Sequence, residues 1–223
     1  MFFPFAYFPI RLLRLVFHIL YPFLFWVKGL AQYQIIKTWY DWFCMVPFYI
    51  VDLLGISDLY EIINEFINWN IRDINSHEKH MIAEMFTRDI PLDLLRVNPK
   101  NLIAKRLRIA YVSFRQINFN SSIPNDIFIH EIVHIWQYQI FGAVYIYFAW
   151  KAQMSQEGYK YGDAPALIKA IRNGKLFHEF NFEQQAEIIQ DMYSHSYFTP
   201  PTSVNEDELL AYKQYRTEMN MLS

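Results

Sequence analysis

Two histidines and a glutamate, His130, Glu131 and His134, are the residues whose types and spacing point most directly to chemistry. They lie in the apolar stretch 127–141, which predicts a buried helix. An α-helix has about 3.6 residues per turn, so His130 and His134 share one face, and imidazoles at this spacing can bind one metal ion. Glu131 lies beside the first histidine, where a carboxylate can take a proton from an activated water. The sequence therefore predicts a metal-dependent hydrolase.

A chance arrangement on a polar helix face is the alternative explanation for these three residues. Their neighbours Ile132, Val133 and Ile135 are apolar, however. Burying an ionised glutamate among such side chains is costly unless a charged partner compensates. A metal site supplies that compensation. The HExxH spacing is that of zinc peptidases, so we expect Zn²⁺ as the cofactor.

Composition narrows the class of protein and the kinds of site. The chain has 223 residues, of which 53% are hydrophobic and 19% aromatic, enough for one sizeable core and an appendage. The net charge is −2 and no basic block is present, which argues against a nucleic-acid partner. Cys44 is the only cysteine, which excludes an intramolecular disulfide and a cysteine-based zinc site.

Residues 1–54 differ from the rest of the chain in their density of aromatic and aliphatic side chains. The uncharged run 15–27 is shorter than the roughly 20 residues that a membrane span needs. Arg11, Arg14 and His18 fall on one helical face, with apolar residues on the others. This pattern predicts a segment that lies in a membrane interface. A helical subdomain packed on the catalytic core remains the alternative. Residues 55–223 are expected to form the metallopeptidase-like domain.

Hydrophobic periodicity and turn residues predict an α+β fold that is predominantly helical, with a small sheet packed on the HExxH helix. Asp58 and Ser76 are expected to cap two helices, and Asn125 or Asp126 the HExxH helix. Strands are expected within 92–97 and 108–119. The C-terminal half is expected to be helical over 142–156, 166–172, 181–193 and 205–219, with the first of these segments continuing the HExxH helix through a bend at Gly142.

A third metal ligand must come from another element. Glu183, Glu187 and Asp191 recur every four residues on one face of a helix that Asn181 can cap. Spacing alone does not choose between Glu183 and Glu187. Glu183 lies in the first turn, near an open helix end, and we expect it to be the ligand. Glu187 is better suited to hydrogen bonding with a ligand histidine, and Asp191 to a solvated face.

Three further residues are candidates for contact with a substrate oxyanion. Tyr159 and Tyr161 lie in the loop between the two expected metal helices, where a phenol could donate a hydrogen bond. His178 precedes the Glu183 helix. The remaining polar candidates are expected to be surface or structural residues: His77, His80, Glu84 and His195.

Three segments together resemble a known family: HEIVHIWQYQ at 130–139, YKY at 159–161 and FNFEQQAE at 180–187. They are similar to the Vgr-related metallopeptidases of bacterial type VI secretion, over roughly residues 75–195. The resemblance implies a zincin-like fold, bound zinc and a third glutamate ligand at Glu183. It also implies an antibacterial effector acting in the periplasm, with a secretion-spike or immunity protein as a partner.

The sequence thus predicts a zinc metallopeptidase that acts on a peptide, a protein or a peptidoglycan peptide. The strand at 116–119 is expected to pair with an extended substrate. The competing hypothesis is a non-enzymatic, membrane-associated secretion component whose metal site is structural, closed by four protein ligands.

Overall fold

The computed structural model describes residues 7–23, 36, 38–87, 90–162, 164–197 and 206–221. Its fold is α+β and predominantly helical, as predicted. The helices of the first half are α1 (Phe8–Leu20), α2 (Trp39–Leu53), α3 (Ile56–Ile67), α4 (Ser76–Met85) and α5 (Leu102–Leu107). Those of the second half are α6 (Asn125–Phe141), α7 (Val144–Gln153), α8 (Ala164–Arg172), α9 (Phe182–Tyr197) and α10 (Glu206–Met221).

A four-stranded mixed sheet lies beside the helices, in the order β1-β2-β4-β3. Its strands are β1 (Arg72–Asp73), β2 (Arg96–Asn98), β3 (Tyr111–Ser113) and β4 (Gln116–Asn118). β2 and β4 run parallel, and the other two pairs are antiparallel. Val97 and Ile117 are paired across the parallel strands and fully buried. The sheet therefore contributes its central strands to the core and leaves β3 at an edge.

The core is centred on α6, which is buried along most of its length. Ile129, Ile132 and Ile135 are fully buried, and α9 packs against the helix with Ala186 and Ile189. Burial of a Leu- or Ile-sized side chain stabilises a fold by about 1.5–3 kcal/mol. Packing between α6 and α9 therefore holds rigidly the two helices that carry the predicted ligands.

The predicted strands are present but shorter than expected. The segment 108–119 forms the hairpin β3–β4, turning at Phe114, whose φ of 59° lies in the left-handed region. The segment 92–97 begins instead with a 3-10 turn, Leu92–Leu94, and contributes only its last residues to β2. Helix α5, capped by Asn101, was not predicted. It has only 6 residues, too few for a clear hydrophobic period.

Two of the predicted N-caps are wrong. Helix α3 begins after Gly55, whose φ of 66° is left-handed, and Asp58 lies buried inside the first turn, where it pairs with Arg11. Helix α4 is capped by Asn75 rather than Ser76. The Glu78 N–H donates to Asn75 Oδ1 at 2.9 Å, and the Asn75 N–H donates to Glu78 Oε2 at 2.7 Å. Both halves of a capping box are thus present one residue earlier than expected.

The ends of the central helices also differ from the predictions. Neither Asn125 nor Asp126 caps α6, because the helix already begins at Asn125, after Pro124. Helices α6 and α7 are separate, since Gly142 takes a φ of 66° between them. The predicted cap at Asn181 is confirmed: its Oδ1 accepts the Gln184 N–H at 2.8 Å.

The described part of the N-terminal segment packs on the core with its polar side inward. Arg11 and His18 are buried in α1, and Arg14 donates to the Gln139 carbonyl at 2.5 Å. Helix α2 packs on α1 and α7, and its buried Asp41 accepts a hydrogen bond from Tyr147 at 2.7 Å. Among the described residues no helix by itself has the length and apolarity to cross a membrane, whereas α2 and α3, bent by 56°, meet those two criteria as a pair.

Candidate metal centre

Helix α6 places His130 and His134 one turn apart, with ring centroids separated by 5.0 Å. Both histidines and Glu131 are buried, with exposed fractions of 7%, 7% and 5%. The helix lies between α9 and the sheet, so its polar residues face the interior rather than solvent. The arrangement expected from the HExxH spacing is therefore present.

Helix α9 brings the third acidic group to this face. Glu183 lies in its first turn, next to the Asn181 cap, and is fully buried. Its Oε1 accepts a hydrogen bond from Gln153 Nε2 at 2.8 Å. Its Oε2 lies 3.4 Å from Nε2 of both His130 and His134. Glu183 Oε2 has no hydrogen-bond partner among the described residues.

These distances fit a shared metal ion. Ligand atoms about 2.0–2.1 Å from a tetrahedral metal lie about 3.3 Å from one another. The Glu183 oxygen stands at nearly that distance from each imidazole nitrogen, too long for a good hydrogen bond. His130, His134 and Glu183 therefore form a buried group that can hold a metal ion.

Gln137 fixes the orientation of His134, a role that the sequence reasoning missed. Gln137 Nε2 donates to the Phe182 carbonyl at 3.0 Å and to Gln185 Oε1 at 3.1 Å. Its Oε1 must then accept from His134 Nδ1, which lies 2.8 Å away. With one proton fixed on Nδ1, Nε2 is the His134 atom that a metal would bind, displacing any proton there. In the sequence, the signal for this role is a glutamine within an apolar segment, three residues after the second histidine.

Gln153 is the second site residue that was not predicted. It ends α7 and holds Glu183 Oε1, which leaves Oε2 directed at the histidines. No motif in the sequence marks it, because its role depends on how α7 packs against α9.

Glu187 lies one turn beyond Glu183 and approaches the other histidine. Its Oε2 stands 3.7 Å from His130 Nδ1, beyond hydrogen-bonding distance, and its side chain is 31% exposed. Burial raises the pKa of Glu187, an effect partly opposed by the charge of His130. The geometry thus separates the two acids: Glu183 faces both Nε2 atoms, and Glu187 lies behind His130.

Glu183 and His134 shift each other's pKa values. Burial would raise the pKa of Glu183, but the two histidines lower it to about 2. Burial would lower the pKa of His134, but Glu183 raises it to about 9. The centre therefore carries an ionised carboxylate at neutral pH. Burial raises the pKa of Glu131, and the nearby histidines only partly offset this effect.

A cavity of about 1230 Å³ opens onto these residues. His130, Glu131, His134 and Glu183 all line it. Tyr159 also lines it, with its ring centroid 5.9 Å from that of His130. The lining also includes residues from the end of α5, from β3 and from α7: Lys105, Arg108, Tyr111, Val112, Ser113, Ala149 and Trp150. A ligand as large as a short peptide segment has room beside the metal-binding group.

Two of the predicted oxyanion candidates lie outside this cavity. Tyr161 hydrogen bonds with Asp191 and Tyr212, a contact that joins the loop to α9 and α10. Asp191 is therefore bonded rather than simply solvated. His178 lies in the 3-10 turn Phe177–Glu179 and is not among the cavity-lining residues. Only Tyr159 of the three is placed to approach a substrate.

The remaining histidines behave as surface or structural residues, as expected. His80 pairs with Glu84 one turn away on α4, and its side chain is 71% exposed. His195 lies 3.4 Å from Glu208 and stacks on Tyr212, which joins α9 to α10.

No known protein family, curated protein or solved structure matches the chain. The resemblance to type VI secretion metallopeptidases therefore stays a prediction from the motifs.

Proposed function

We propose that the protein is a zinc-dependent metallopeptidase. One observation carries the proposal: Glu183 Oε2 lies 3.4 Å from both histidine Nε2 atoms, without a hydrogen-bond partner among the described residues, at the wall of a large cavity. Two imidazole nitrogens and one carboxylate oxygen form the ligand set of many catalytic zinc sites. The zincin-like fold is part of the same proposal, since helix α6 packs beside the small sheet.

Bound zinc supplies a Lewis acid that polarises the substrate carbonyl and lowers the pKa of a water molecule. The protein's own residues do the rest. Glu131 is the general base: it takes the proton of the attacking water and passes it to the leaving amine. Burial raises the pKa of Glu131 above its ordinary value, and the nearby histidines oppose this effect.

Tyr159 is the candidate for stabilising the oxyanion. Its side chain reaches the cavity from the loop before α8 and remains 45% exposed, so it can meet a bound substrate. Burial and the nearby acids, Glu183 first among them, raise the pKa of Tyr159 to about 12. The phenol therefore keeps its proton at neutral pH and can donate a hydrogen bond to developing negative charge.

The edge of the sheet gives an extended substrate a place to bind. The prediction that the strand at 116–119 pairs with a substrate is wrong, because β4 is already paired on both sides, with β2 and β3. Strand β3 is an edge strand of the sheet, and its residues Tyr111, Val112 and Ser113 line the cavity. A peptide adding to β3 would lie in this cavity, where the Tyr145 hydroxyl donates to the Val112 carbonyl at 3.3 Å.

Metal content and cleavage, measured on the same preparations, test the proposal. The zinc-loaded protein is incubated with a peptide library and with peptidoglycan fragments, beside the variants Glu131→Gln and Glu84→Gln. Glu131→Gln should keep zinc and lose about 10²–10⁴-fold of the cleavage rate. Glu84→Gln, on the surface of α4, makes the same chemical change away from the site and should leave both quantities unchanged.

Bound zinc without cleavage of any substrate by the wild type would favour the non-enzymatic alternative with a structural site. Against that alternative, the metal-binding group has three members and faces a cavity, which leaves a coordination position for substrate or water.

An antibacterial role in the periplasm, linked to type VI secretion, is part of the proposal that rests on the motif resemblance alone. Expression of the protein in a bacterial host, directed either to the cytoplasm or to the periplasm, tests it. Toxicity that appears only in the periplasm and disappears with Glu131→Gln would support an envelope substrate. Equal toxicity of the wild type and the variant would contradict it.

A further inference from the structure

Three helices of this protein are polar on the inside and apolar on the outside. In α1, Arg11 and His18 are buried, whereas its outer face exposes Phe8, Ile10, Leu12, Leu13, Val16 and Phe17. Helix α2 shares this arrangement in part, since it buries Met45 and Tyr49 beside its acidic residues. Its Asp41 and Asp52 are buried, and Trp39, Tyr40 and Phe43 are each about 70% exposed. A soluble surface helix shows the opposite arrangement.

Helix α3 is inverted in the same way. Asp58 is buried and bonds Arg11 and Arg115, and Arg115 also bonds Glu61. The outer face exposes Leu59, Ile62, Ile63, Phe66 and Ile67, and Trp69 follows the helix. Phe66 is 86% exposed and Trp69 94%. The charged side chains of these helices therefore form ion pairs and hydrogen bonds inside the protein instead of facing solvent.

The three outer faces are continuous and nearly uncharged. Helix α1 contacts α2, and α2 contacts α3. Among the described residues, Glu65 is the exposed charged side chain of these helices, and it pairs with Arg96 of the sheet. An apolar area of this breadth in water is unfavourable and marks a binding surface.

Helix α5 adds a basic border to this surface. Its Lys105 and Arg106, with the following Arg108, are exposed beside Leu102, Ile103 and Leu107. Tyr60 of α3 lines the same cavity as Lys105 and Arg108, and it donates to Ser113 Oγ of β3 at 3.4 Å. The apolar surface and the basic residues therefore both contribute side chains to the lining of this cavity.

We propose that the outer faces of α1, α2 and α3, with α5, form a surface that binds an anionic lipid bilayer. The helices lie in the plane of the interface, and the basic residues of α5 contact the headgroups. Trp39, Tyr40, Tyr60 and Trp69 supply the aromatic rings that favour the headgroup level. The inference extends the membrane contact expected for residues 1–54 to α3 and α5, and it is independent of the metal centre.

The occupant is lipid rather than a protein partner because of the charge pattern. A broad uncharged face with a basic border matches the apolar interior and anionic surface of a bilayer. The placement has a consequence for the cavity. Since Lys105 and Arg108 border both the surface and the cavity, the cavity opens close to the headgroups and would receive substrates held near the membrane.

Flotation of the full-length protein with vesicles tests the surface. Vesicles of phosphatidylcholine alone are compared with vesicles containing phosphatidylglycerol. The variant Phe66→Ser/Trp69→Ser removes two apolar side chains that are mostly exposed, so folding should be spared. It should weaken binding to anionic vesicles at least about tenfold. Leu210→Ser/Met221→Ser changes two exposed apolar residues of α10, 66% and 74% exposed, and should bind as the wild type does.

The basic border has its own variant and its own readout. Lys105→Glu/Arg106→Glu should reduce binding to vesicles containing phosphatidylglycerol by about tenfold or more, and should weaken its dependence on salt. Zinc content, measured on every variant, should stay unchanged, which separates loss of lipid binding from damage to the metal centre.

Two results would overturn the proposal. One is the absence of wild-type binding to both kinds of vesicle. The other is lipid-independent self-association of the wild type that Phe66→Ser/Trp69→Ser abolishes, because the surface would then bind a second copy of the chain.

Discussion

Two of the three candidate metal ligands, His134 and Glu183, are each held in place by a glutamine. Gln137, on α6 itself, fixes the tautomer of His134, and Gln153, from α7, fixes the carboxylate of Glu183. Both glutamines use hydrogen bonds that have defined donor and acceptor ends. His134 and Glu183 are therefore oriented before a metal binds, which lowers the cost of ordering these two ligands on binding.

The two acids of α9 should differ in their effect on metal binding. Glu183 faces both imidazoles at 3.4 Å, whereas Glu187 lies 3.7 Å from His130 Nδ1. Glu183→Ala should therefore purify nearly free of metal. Glu187→Ala should retain metal with an affinity lowered by no more than about 10–100-fold. Chelator competition titrations measure both, and the reverse order would assign the ligand to Glu187.

Gln137 should influence metal affinity without contacting the metal. Gln137→Met keeps most of the volume but removes the acceptor that holds His134 Nδ1. The expected result is a metal affinity lowered by about 10–100-fold. Gln139→Met, on the far side of the same helix, is the matched control. Equal affinities for the two variants would show that His134 does not need this bond.

Turns between helices decide where the site's elements lie. Gly142 separates α6 from α7 with a φ of 66°, a region that favours glycine. A Cβ at this position would lie 1.7 Å from Asp52 Oδ2. The bend predicted at Gly142 is thus a tight turn between α6 and α7, and Asp52 of α2 packs against this turn.

Gly142→Ala should consequently lower the free energy of unfolding by at least about 2 kcal/mol, through backbone strain and displacement of Asp52. Gly174→Ala is the control. Its φ is 75°, but a Cβ there would meet nothing within 4 Å. Gly174→Ala should lower the free energy of unfolding only through backbone strain, by about 1 kcal/mol. Denaturant unfolding compares the two, and equal losses would contradict the role of the Asp52 contact.

Local sequence patterns were sufficient for some elements and not for others. The HExxH helix and the β3–β4 hairpin follow from their own periodicity and turn residues. The cap of α4 could also be predicted from sequence, since Asn75 and Glu78 have the capping-box spacing, although Ser76, one residue later, is a capping residue type as well. Asp58 is a residue type that often caps helices, yet here it is buried and forms ion pairs with Arg11 and Arg115, which are distant in the chain. Its role is a tertiary one that no local pattern contains.

Some residues of the candidate site could likewise be predicted from local sequence, and others could not. His130, Glu131 and His134 could be identified because one helix carries all three at a fixed spacing. Glu183 could be proposed but not separated from Glu187 by spacing. Gln153 could not be found, because its contact depends on the packing of α7 against α9. Tyr159 and Tyr161 were equivalent in sequence, and only the fold directs one to the cavity and the other to Asp191.

At the scale of the molecule, buried charges connect the N-terminal helices to the core. Arg11 and Arg115 meet at Asp58, Asp41 bonds Tyr147 and Lys151, and Asp52 accepts the Ala143 N–H at 2.8 Å. Breaking one partner of a buried charged pair is strongly destabilising, because it leaves a charge without compensation. The helices with apolar outer faces are thus fixed to the rest of the protein by polar contacts.

Asp52 makes this connection dependent on pH. It is 1% exposed, and burial raises its pKa to about 6, although the Ala143 N–H and the charges of Arg14 and Arg11 act in the opposite direction. In the unfolded chain the pKa of an aspartate is about 3.9. Between these values the folded protein binds the proton more tightly. The contribution of Asp52 to stability is therefore complete below about pH 4 and is lost as the pH rises through about 6.

Asp52→Asn isolates this contribution from the other titrating groups. An asparagine still offers an oxygen to the Ala143 N–H but does not titrate. The stability of the wild type relative to Asp52→Asn should rise on the order of 2–3 kcal/mol when the pH is lowered from 7 to 4. Denaturant unfolding of both proteins at a series of pH values measures the difference. A constant difference would show that Asp52 titrates alike in the folded and unfolded chain, and that solvent or Arg14 compensates its charge at the junction of α2 with α6 and α7.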